Sequence, residues 1–306
     1  MNRFKKILVT GFSRENFDEN VWERIKKLTY TLVFEPAKDV DCLFSRFNKV
    51  DKELIDSLPD LRYVGLLATG TGTVDLDYAK KKKIAVSNIP GYATESVGEW
   101  VFALILEHLR DLERAKQTAR KGDFSGNGFT AAEIKGKKFG VIGLGRIGGR
   151  VAEIALGFGA EVSYWSRKRK KELEKKGISY EQLDNLISNC DFLSLHLQYT
   201  KDTAGILNEK RINSIKKGVI IINVSPMELV NIPALEKRLK RGEITFILDH
   251  PDEMNPQDVV KLSQYKNCLI YPPIGYVSKE GRELKQDIFV ANIENFLKGK
   301  PTNKVN

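Results

Sequence analysis

The sequence predicts an α/β protein made of two doubly wound domains, each a parallel sheet covered by helices. Two observations predict this class. Short apolar strand candidates alternate with polar segments of helical spacing, and a glycine-rich turn joins an apolar strand to a helix near the middle of the chain. The length of 306 residues is sufficient for two domains of ordinary size.

The first domain is expected at residues 1–92. Its strand candidates, rich in Val, Ile, Leu and aromatic residues, lie at 5–12, 31–35, 41–46, 62–69 and 83–88, with helical segments at 17–28 and 75–82. Pro90 and Gly91 then interrupt the pattern. A terminal helix over 278–297 is expected to return to this domain, so that 1–92 and 277–306 form one unit.

The second domain is expected at residues 93–276. It opens with one long helix, from 93 to about 121, whose early part is apolar on one face. The strands that follow the glycine-rich turn are predicted at 161–165, 192–195, 219–223 and 246–248, with a helix at 232–240.

The glycine-rich turn has the spacing Gly143-x-Gly145-x-x-Gly148 between a strand and a helix. Gly143 permits a tight turn, Gly145 lets the backbone approach a pyrophosphate, and Gly148 lets helix and strand pack closely. The free N–H groups at the helix start, around Arg146 and Ile147, offer an anion site. This context predicts dinucleotide binding; the alternative is a strand-to-helix turn that needs glycine for packing alone.

The end of the next strand favours NADP(H) over NAD(H). An NAD site has a carboxylate about 20 residues after the glycines, where it binds the ribose hydroxyls. Here that place holds Ser166, followed by Arg167 and Lys168, and no acid. These residues suit the extra 2′-phosphate of NADP, since Arg presents a planar fork to phosphate oxygens. The alternative is a solvated basic turn, with NAD as the second cofactor candidate.

Composition excludes several classes. Hydrophobic residues at 42% and charged residues at 29% are ordinary for a globular protein, and the longest apolar run, 100–106, is too short to span a membrane. The net charge of +10 comes from scattered lysines without interleaved aromatic residues, so we expect no nucleic-acid partner. The start carries no apolar signal segment, which predicts a cytoplasmic location. Cys42, Cys190 and Cys268 indicate neither a disulfide framework nor a metal site.

Longer segments resemble the D-isomer-specific 2-hydroxyacid dehydrogenase family over nearly the whole chain. These segments are Gly70-Thr71-Gly72, 86–91, 96–99, 143–148, 191–197 and 222–225. The resemblance implies a flavodoxin-like substrate (lid) domain, a Rossmann nucleotide-binding domain, a homodimer built on the long helix, and a small-molecule substrate. It also implies cofactor contacts at His196, Val224, Ser225 and Asp249, the last of these beside the nicotinamide.

The residues that perform the family's chemistry are absent at the corresponding positions. Family enzymes use an Arg to hold the substrate, a His to exchange its proton, and a Glu to support the His. The Arg position is Pro226, the His position is Pro273, and the Glu position is Met254, or Glu253 with a one-residue gap. A positioned acid is worth about 10²- to 10⁴-fold in rate. The family mechanism therefore cannot run here with the family's residues.

Other residues are candidates for the missing roles. The candidate acids are His250, Glu253, Tyr276 and Lys279. For substrate binding, Gly70, Thr71 and Gly72 offer backbone N–H groups to a carboxylate. Arg46 offers a cation; the alternative is an ordinary surface residue on a loop.

Two functions are compatible with this pattern. The first is an NADP(H)-dependent oxidoreductase with altered chemistry, acting on a carbonyl or imine compound that bears a carboxylate. The second is a protein that binds the nucleotide without turning it over, as a cofactor sensor or scaffold. The retained glycine turn supports cofactor binding under both functions. Asp249 and the retained Gly70–Gly72 donors favour the first, and the lost Arg, Glu and His favour the second. The sequence does not identify the substrate, the reaction direction or the pathway.

Overall fold

The computed structural model describes residues 2–306. Within that range there are twelve strands: β1 (Phe4–Thr10), β2 (Thr29–Val33), β3 (Cys42–Ser45), β4 (Tyr63–Leu66), β5 (Ala85–Ser87), β6 (Lys138–Ile142), β7 (Glu161–Trp165), β8 (Ser179–Tyr180), β9 (Phe192–Leu195), β10 (Val219–Asn223), β11 (Ile244–Leu248) and β12 (Cys268–Ile270). The same range has twelve α-helices: α1 (Glu19–Lys26), α2 (Lys52–Ser57), α3 (Leu76–Lys81), α4 (Thr94–Arg110), α5 (Leu112–Arg120), α6 (Arg146–Gly157), α7 (Lys171–Glu174), α8 (Leu183–Asn189), α9 (Glu209–Ser214), α10 (Ile232–Lys240), α11 (Pro256–Ser263) and α12 (Lys279–Leu297).

The chain divides into two compact units. Unit 1 contains the residues up to Tyr92 together with Ser278–Asn306, and unit 2 contains Ala93–Val277. The second crossing lies one residue later than the sequence predicts. The hydroxyl of Ser278 accepts a hydrogen bond from the N–H of Gly281 and so caps α12, which places this serine with the helix.

Unit 1 is built on a five-stranded parallel sheet with the order β2-β1-β3-β4-β5. This is the flavodoxin-like order. Strand β1 alternates between two apolar cores: Ile7 and Val9 pack with Trp22 of α1 and Phe289 of α12, whereas Leu8 lies in the core beneath α2 and α3. Both faces of the sheet are therefore covered by helices, as the alternating sequence pattern predicts.

Unit 2 is built on a seven-stranded parallel sheet with the order β12-β11-β10-β9-β6-β7-β8. Strand β6 lies where the order reverses, with β7 and β8 on one side and the later strands on the other. This is the Rossmann order with one further strand, and such sheets bind ligands at the carboxyl ends of the strands beside the reversal. The predicted fold class is confirmed.

One long element differs from the prediction. The single helix expected at 93–121 is two helices, α4 and α5, which meet at Asp111. Asp111 has a φ of 49°, in the left-handed region, and its N–H donates to the carbonyl oxygens of Glu107 and His108, which ends α4. No Gly or Pro stands at 108–114 to mark this break, so the prediction of one helix is wrong there.

Candidate functional site

The glycine turn after β6 has the conformation and the space that suit dinucleotide binding. Gly143 has a φ of 97°, and a Cβ there would overlap the carbonyl oxygen of His196. A Cβ at Gly148 would overlap the carbonyl oxygen of Gly143, so α6 packs directly against the turn. Gly145 is exposed, and an added Cβ would meet nothing within 4 Å. This open space is where a pyrophosphate would approach the backbone.

The first turn of α6 adds unbonded donors beside that space. Its first N–H groups have no partner inside the helix. Arg146 is exposed and Ile147 is half-buried, and this first turn contains no acidic residue. The positive end of the helix is therefore not compensated by a carboxylate of its own first turn, and it favours an anion.

A cavity of about 700 Å³ lies beside the glycine turn. The lining residues come from the turn and from the segments after β7 and β9: Gly143, Leu144, Gly145, Trp165, Ser166, Arg167, Lys168, Lys170, His196, Leu197, Gln198, Thr200 and Thr203. Three of these side chains are cations, and none carries a carboxylate. The cavity therefore connects the phosphate-binding turn to a basic segment.

The arginines after β7 differ in how firmly they are held. Arg169 makes a two-point ion pair with Glu174, with N···O distances of 3.0 and 2.7 Å, and lies 5.1 Å from the centre of the Tyr180 ring. Arg167 has a longer ion pair with Asp202, at 3.6 Å, in which both side chains are mostly exposed. An exposed pair of this kind contributes little stability. Arg167 is thus the arginine that can reorient toward a ligand.

The two serines expected to bind cofactor are engaged within the chain. Ser166 Oγ donates to the carbonyl oxygen of Lys168 over 2.6 Å, in an exposed local turn. Ser225 is buried, and its Oγ donates to the carbonyl oxygen of Leu195 over 2.9 Å, which joins the ends of β9 and β10. Val224 beside it is half-buried. Ser166 can exchange its bond for a ligand, whereas Ser225 positions the strand ends.

His196 lies against the glycine turn with a neutral ring. Its Nε2 is 2.7 Å from Ser194 Oγ, a hydrogen bond, whereas Nδ1 is buried without a partner in the described part of the chain. Burial lowers the pKa of His196 to about 3. The ring therefore cannot serve as a charged acid near neutral pH, and Nδ1 is a polar atom left unsatisfied beside the cavity.

Asp249, at the end of β11, is held by a tryptophan. Asp249 is 2% exposed, and its Oδ2 accepts a hydrogen bond of 3.0 Å from Nε1 of Trp100, while Oδ1 is buried without a hydrogen-bond partner among residues 2–306. Burial raises the pKa of Asp249, and the nearby His250 partly opposes this rise. A Cβ at Gly275 would overlap the Trp100 ring, so glycine is required there for the indole to reach Asp249.

His250 is the candidate acid that the structure places beside a carboxylate. Its Nε2 is 3.6 Å from Asp249 Oδ1, and its Nδ1 is 4.0 Å from Asp252 Oδ1; both distances are too long for a hydrogen bond. Nδ1 is buried and has no hydrogen-bond partner in the described range. Glu253 is exposed in the next turn. A small movement of the His250 ring would join it to the unsatisfied oxygen of Asp249.

Pro226 and Pro273, which the sequence resemblance predicts at the positions of the family's Arg and His, lie in turns. Pro226 has a φ of −54° and precedes a short 3-10 helix, while Pro273 is half-buried. Met227 and Met254 pack against an apolar core of unit 2. None of these four side chains carries a charge or an exchangeable proton, so none can replace the acid or the cation.

In unit 1, the loop after β4 presents unbonded backbone donors. The N–H groups of Gly70, Thr71 and Gly72 make no backbone hydrogen bond within residues 2–306, and an added Cβ at either glycine would meet nothing within 4 Å. Neither glycine has a φ in the left-handed region. The donors therefore come from an open loop rather than from a nest of alternating backbone conformations.

Arg46 directly follows β3 in the same unit. Its guanidinium lies 4.6 Å from the centre of the Phe47 ring, and it has no ion-pair partner among the residues that the structure describes. Phe47 is 70% exposed and has a φ of 63°, a conformation that is costly for a bulky residue. Of the remaining candidate acids, Tyr276 is half-buried in unit 2, and Lys279 is the exposed first residue of α12 in unit 1.

Sequence reasoning missed several residues of this region. Trp100 lies in the apolar part of the predicted long helix, and nothing in the sequence marks its hydrogen bond to Asp249. Thr200, Thr203 and Gln198 line the cavity because they follow β9, which ends at the same sheet edge as the glycine turn. Their position just after a strand is the signal that could have identified them.

Within residues 2–306, no group of three or more His, Cys, Asp or Glu side chains is arranged to hold a metal ion. The three cysteines are buried and free. Burial raises the pKa of Cys190 and of Cys268 to about 12, which removes them as nucleophiles. Among the helices of the same range, none combines the length and apolar character needed to cross a membrane.

Comparison with known proteins identifies the family. Residues 102–275 match the family model described as D-isomer specific 2-hydroxyacid dehydrogenase, NAD binding domain. The chain is 34% identical to a hydroxypyruvate reductase of Blautia hydrogenotrophica, over 94% of this chain and 91% of that protein. It is 33% identical to a glyoxylate reductase of Thermococcus litoralis, over 95% of this chain and 91% of that protein.

Solved structures show the same fold. A D-lactate dehydrogenase from Aquifex aeolicus, complexed with NAD and lactic acid, is 31% identical with a TM-score of 0.82 and 96% of each chain covered. An acyclic imino acid reductase in complex with NADPH and D-arginine is 29% identical with a TM-score of 0.84, covering 98% of this chain and 100% of that one. The resemblance noted in the sequence is confirmed: the chain belongs to the D-isomer-specific 2-hydroxyacid dehydrogenase family, a family of NAD(P)-dependent oxidoreductases.

Proposed function

We propose that the chain is an NADPH-preferring oxidoreductase that reduces a small imine or carbonyl compound bearing a carboxylate. The observation that carries this proposal is the cavity of unit 2, which joins the open backbone at Gly145 to Arg167, Lys168 and Lys170 and has no carboxylate in its lining. When bound, NADPH would supply the hydride. The chain's own part is to hold the nucleotide and to position the substrate.

The preference for NADPH is supported by charge. Arg167 and Lys168 would bind the 2′-phosphate, with Ser166 as a further hydrogen-bond donor. The carboxylate that selects NAD by binding both ribose hydroxyls is absent from the lining. Neighbouring structures contain NADPH in one case and NAD in another, so the family accommodates both nucleotides.

The two prolines favour an imine over a carbonyl. A reduced carbonyl leaves an alkoxide that must take a proton from a positioned acid. A protonated imine accepts the hydride at carbon, the π electrons move to nitrogen, and a neutral amine forms without a proton from the protein. Pro226 and Pro273 cannot supply a proton or a charge, so the imine is the substrate that this site handles best. The imino acid reductase among the neighbours supports the same class.

Substrate binding is proposed for unit 1. The free N–H groups of Gly70, Thr71 and Gly72 would bind the carboxylate, with Arg46 as the nearby cation of the same unit. For a carbonyl substrate, His250 beside Asp249 is the preferred acid, ahead of Glu253, Tyr276 and Lys279, because it is placed next to an unsatisfied carboxylate oxygen.

A non-catalytic nucleotide-binding protein is the second candidate, and the two prolines are the observation that favours it. The relatives matched over nearly the full chain are named as reductases, which favours the enzyme.

Nucleotide titration tests the cofactor proposal. We expect the parent protein to bind NADPH about 10- to 100-fold more tightly than NADH, since charge-assisted bonds to the phosphate contribute about 1.5–3 kcal/mol. Arg167→Ala should remove most of that difference. Arg169→Ala is the matched control, because Arg169 is held by Glu174 and should leave the preference unchanged. Equal affinities in the parent protein would overturn the assignment.

Two further expectations stay predictions. The homodimer is supported by exposed apolar side chains beside and beyond α4, at Leu112 (45% exposed) and Phe124 (85% exposed). Light scattering at micromolar concentration tests it, and a monomer would contradict it. The cytoplasmic location also stays a prediction.

A further inference from the structure

Helix α12 carries a lysine at the carboxyl edge of the five-stranded sheet of unit 1. Lys285 is half-buried on the second turn of this helix. One turn farther on, Phe289 packs edge-on against Phe44 of β3, with 4.8 Å between ring centres, and lies 6.4 Å from Phe12, which follows β1. This face of α12 therefore covers the ends of β1 and β3, and Arg46 directly follows β3.

The neighbouring carboxylate, Asp18, already has hydrogen-bond partners on both oxygens. Asp18 Oδ1 accepts two hydrogen bonds from Arg282, at 3.1 and 2.8 Å, and its Oδ2 accepts one of 2.8 Å from Nε2 of Gln286. The ammonium group of Lys285 has no hydrogen-bond or ion-pair partner in residues 2–306, and Arg46 has no ion-pair partner there.

Two of the three charged groups that act on Lys285 have its own sign. Burial lowers the pKa of Lys285, Arg46 and Arg282 lower it further, and Asp18 opposes the shift. Half-buried cations are ordinarily paired, because removing an unpaired charge from water is costly. Lys285 and Arg46 thus form a positive site that the described chain does not neutralise.

We infer that Lys285 and Arg46 bind an anionic group at the carboxyl edge of unit 1. This inference rests on the proposed function, in which the backbone donors of the Gly70–Gly72 loop already suffice for one carboxylate. Lys285 then adds a cation beside Arg46 that one carboxylate does not need, so the site favours a substrate with a second anion, either a carboxylate or a phosphate monoester. The substrate class is accordingly a dianionic acid, and Lys285 is a residue that determines specificity.

Ligand titration tests this inference by calorimetry, both on the nucleotide-free protein and on the protein saturated with NADP⁺. The probes are pyruvate with one carboxylate, 2-oxoglutarate with two, and phosphoglycolate with a carboxylate and a phosphate. We expect one or both dianions to bind at least about 10-fold more tightly than pyruvate, and the stronger of the two identifies the second group. Lys285→Met should abolish the preference, whereas Lys298→Met, at the exposed end of the same helix, should retain it.

A stability measurement separates binding from folding. Lys285→Met should unfold at the same or a higher urea concentration than the parent when no anion is present, because it removes an unpaired charge. Equal affinity of the parent for all three probes, or a dianion preference that survives in Lys285→Met, would overturn the inference. A dianion preference without NADPH binding would leave the anion site standing and defeat the proposed function. NADPH binding without a dianion preference would leave the proposed function standing and defeat the anion site.

Discussion

The indole Nε1 of Trp100 donates a hydrogen bond to Oδ2 of Asp249 over 3.0 Å, and the indole ring occupies the space that any side chain at residue 275 would need. The other oxygen of Asp249 is buried without a hydrogen-bond partner in the described residues. A helix that the sequence marks only as apolar thus holds the carboxylate that the family resemblance places beside the nicotinamide.

Replacing Trp100 by Phe keeps an aromatic ring and removes the indole N–H donor. The variant should lose about 1–3 kcal/mol of unfolding free energy, since Asp249 would then be buried without this hydrogen bond. Urea unfolding measures the loss. Asp249→Ala combined with Trp100→Phe should be less destabilised than the sum of the two single variants, because each removes the same hydrogen bond. Strict additivity would show that this bond does not stabilise the folded chain.

Replacing Gly148, Gly145 or Gly157 by alanine should have three different outcomes. Gly148→Ala should destabilise by more than about 2 kcal/mol, since the new Cβ would overlap the backbone of the turn. Gly145→Ala should fold normally but bind NADPH at least about 10-fold more weakly, because the methyl would fill the space for the pyrophosphate. Gly157→Ala, at the open end of the same helix, should gain about 0.5–1 kcal/mol and bind normally. Tight NADPH binding by Gly145→Ala would show that the pyrophosphate lies elsewhere.

His196 predicts a loss of stability in acid. Its folded-state pKa is about 3, far below the ordinary value of 6.5. As the pH falls below about 6.5, the unfolded chain binds a proton at His196 and the folded chain does not. The free energy of unfolding is therefore undiminished by this group above pH 6.5 and falls as the pH declines toward 3. The slope is about 1.4 kcal/mol per pH unit from this one group. Urea unfolding near pH 7 and near pH 5 should show a smaller pH dependence for His196→Asn than for the parent. An equal pH dependence of the unfolding free energy in the two proteins would show that His196 is not its source.

Much of the fold could be predicted because its signals are local. Strands β9 and β10 and helix α10 have the predicted bounds, since continuous apolar runs and helical spacing mark them directly. The break at Asp111 could not be predicted, because an aspartate in the left-handed conformation ends α4 without a Gly or Pro. The sequence also does not predict short elements such as β8 and α7, because two to four residues are too few to show a hydrophobic period.

The candidate site was predictable only where chain neighbours form it. The glycine turn and Ser166 to Lys168 are each continuous in the sequence, and the structure places them around one cavity. Trp100 and Asp249 are 149 residues apart, and Lys285 becomes notable only through Asp18, which already has other partners. Contacts of that kind depend on tertiary packing, which no spacing rule describes.

The proposed function makes a double claim: the chain keeps a phosphate-binding turn for NADPH and lacks, at the family's position, the proton donor that family enzymes apply to a carbonyl substrate. The most direct measurement is the rate of NADPH oxidation, followed by absorbance, with glyoxylate, pyruvate or hydroxypyruvate, alone and with ammonium or methylammonium present to form the imine. We predict slow oxidation with each keto acid alone and acceleration of about 10²-fold or more with the amine, the range that a missing general acid accounts for. Rapid oxidation by a keto acid alone, with no gain from the amine, would contradict the claim.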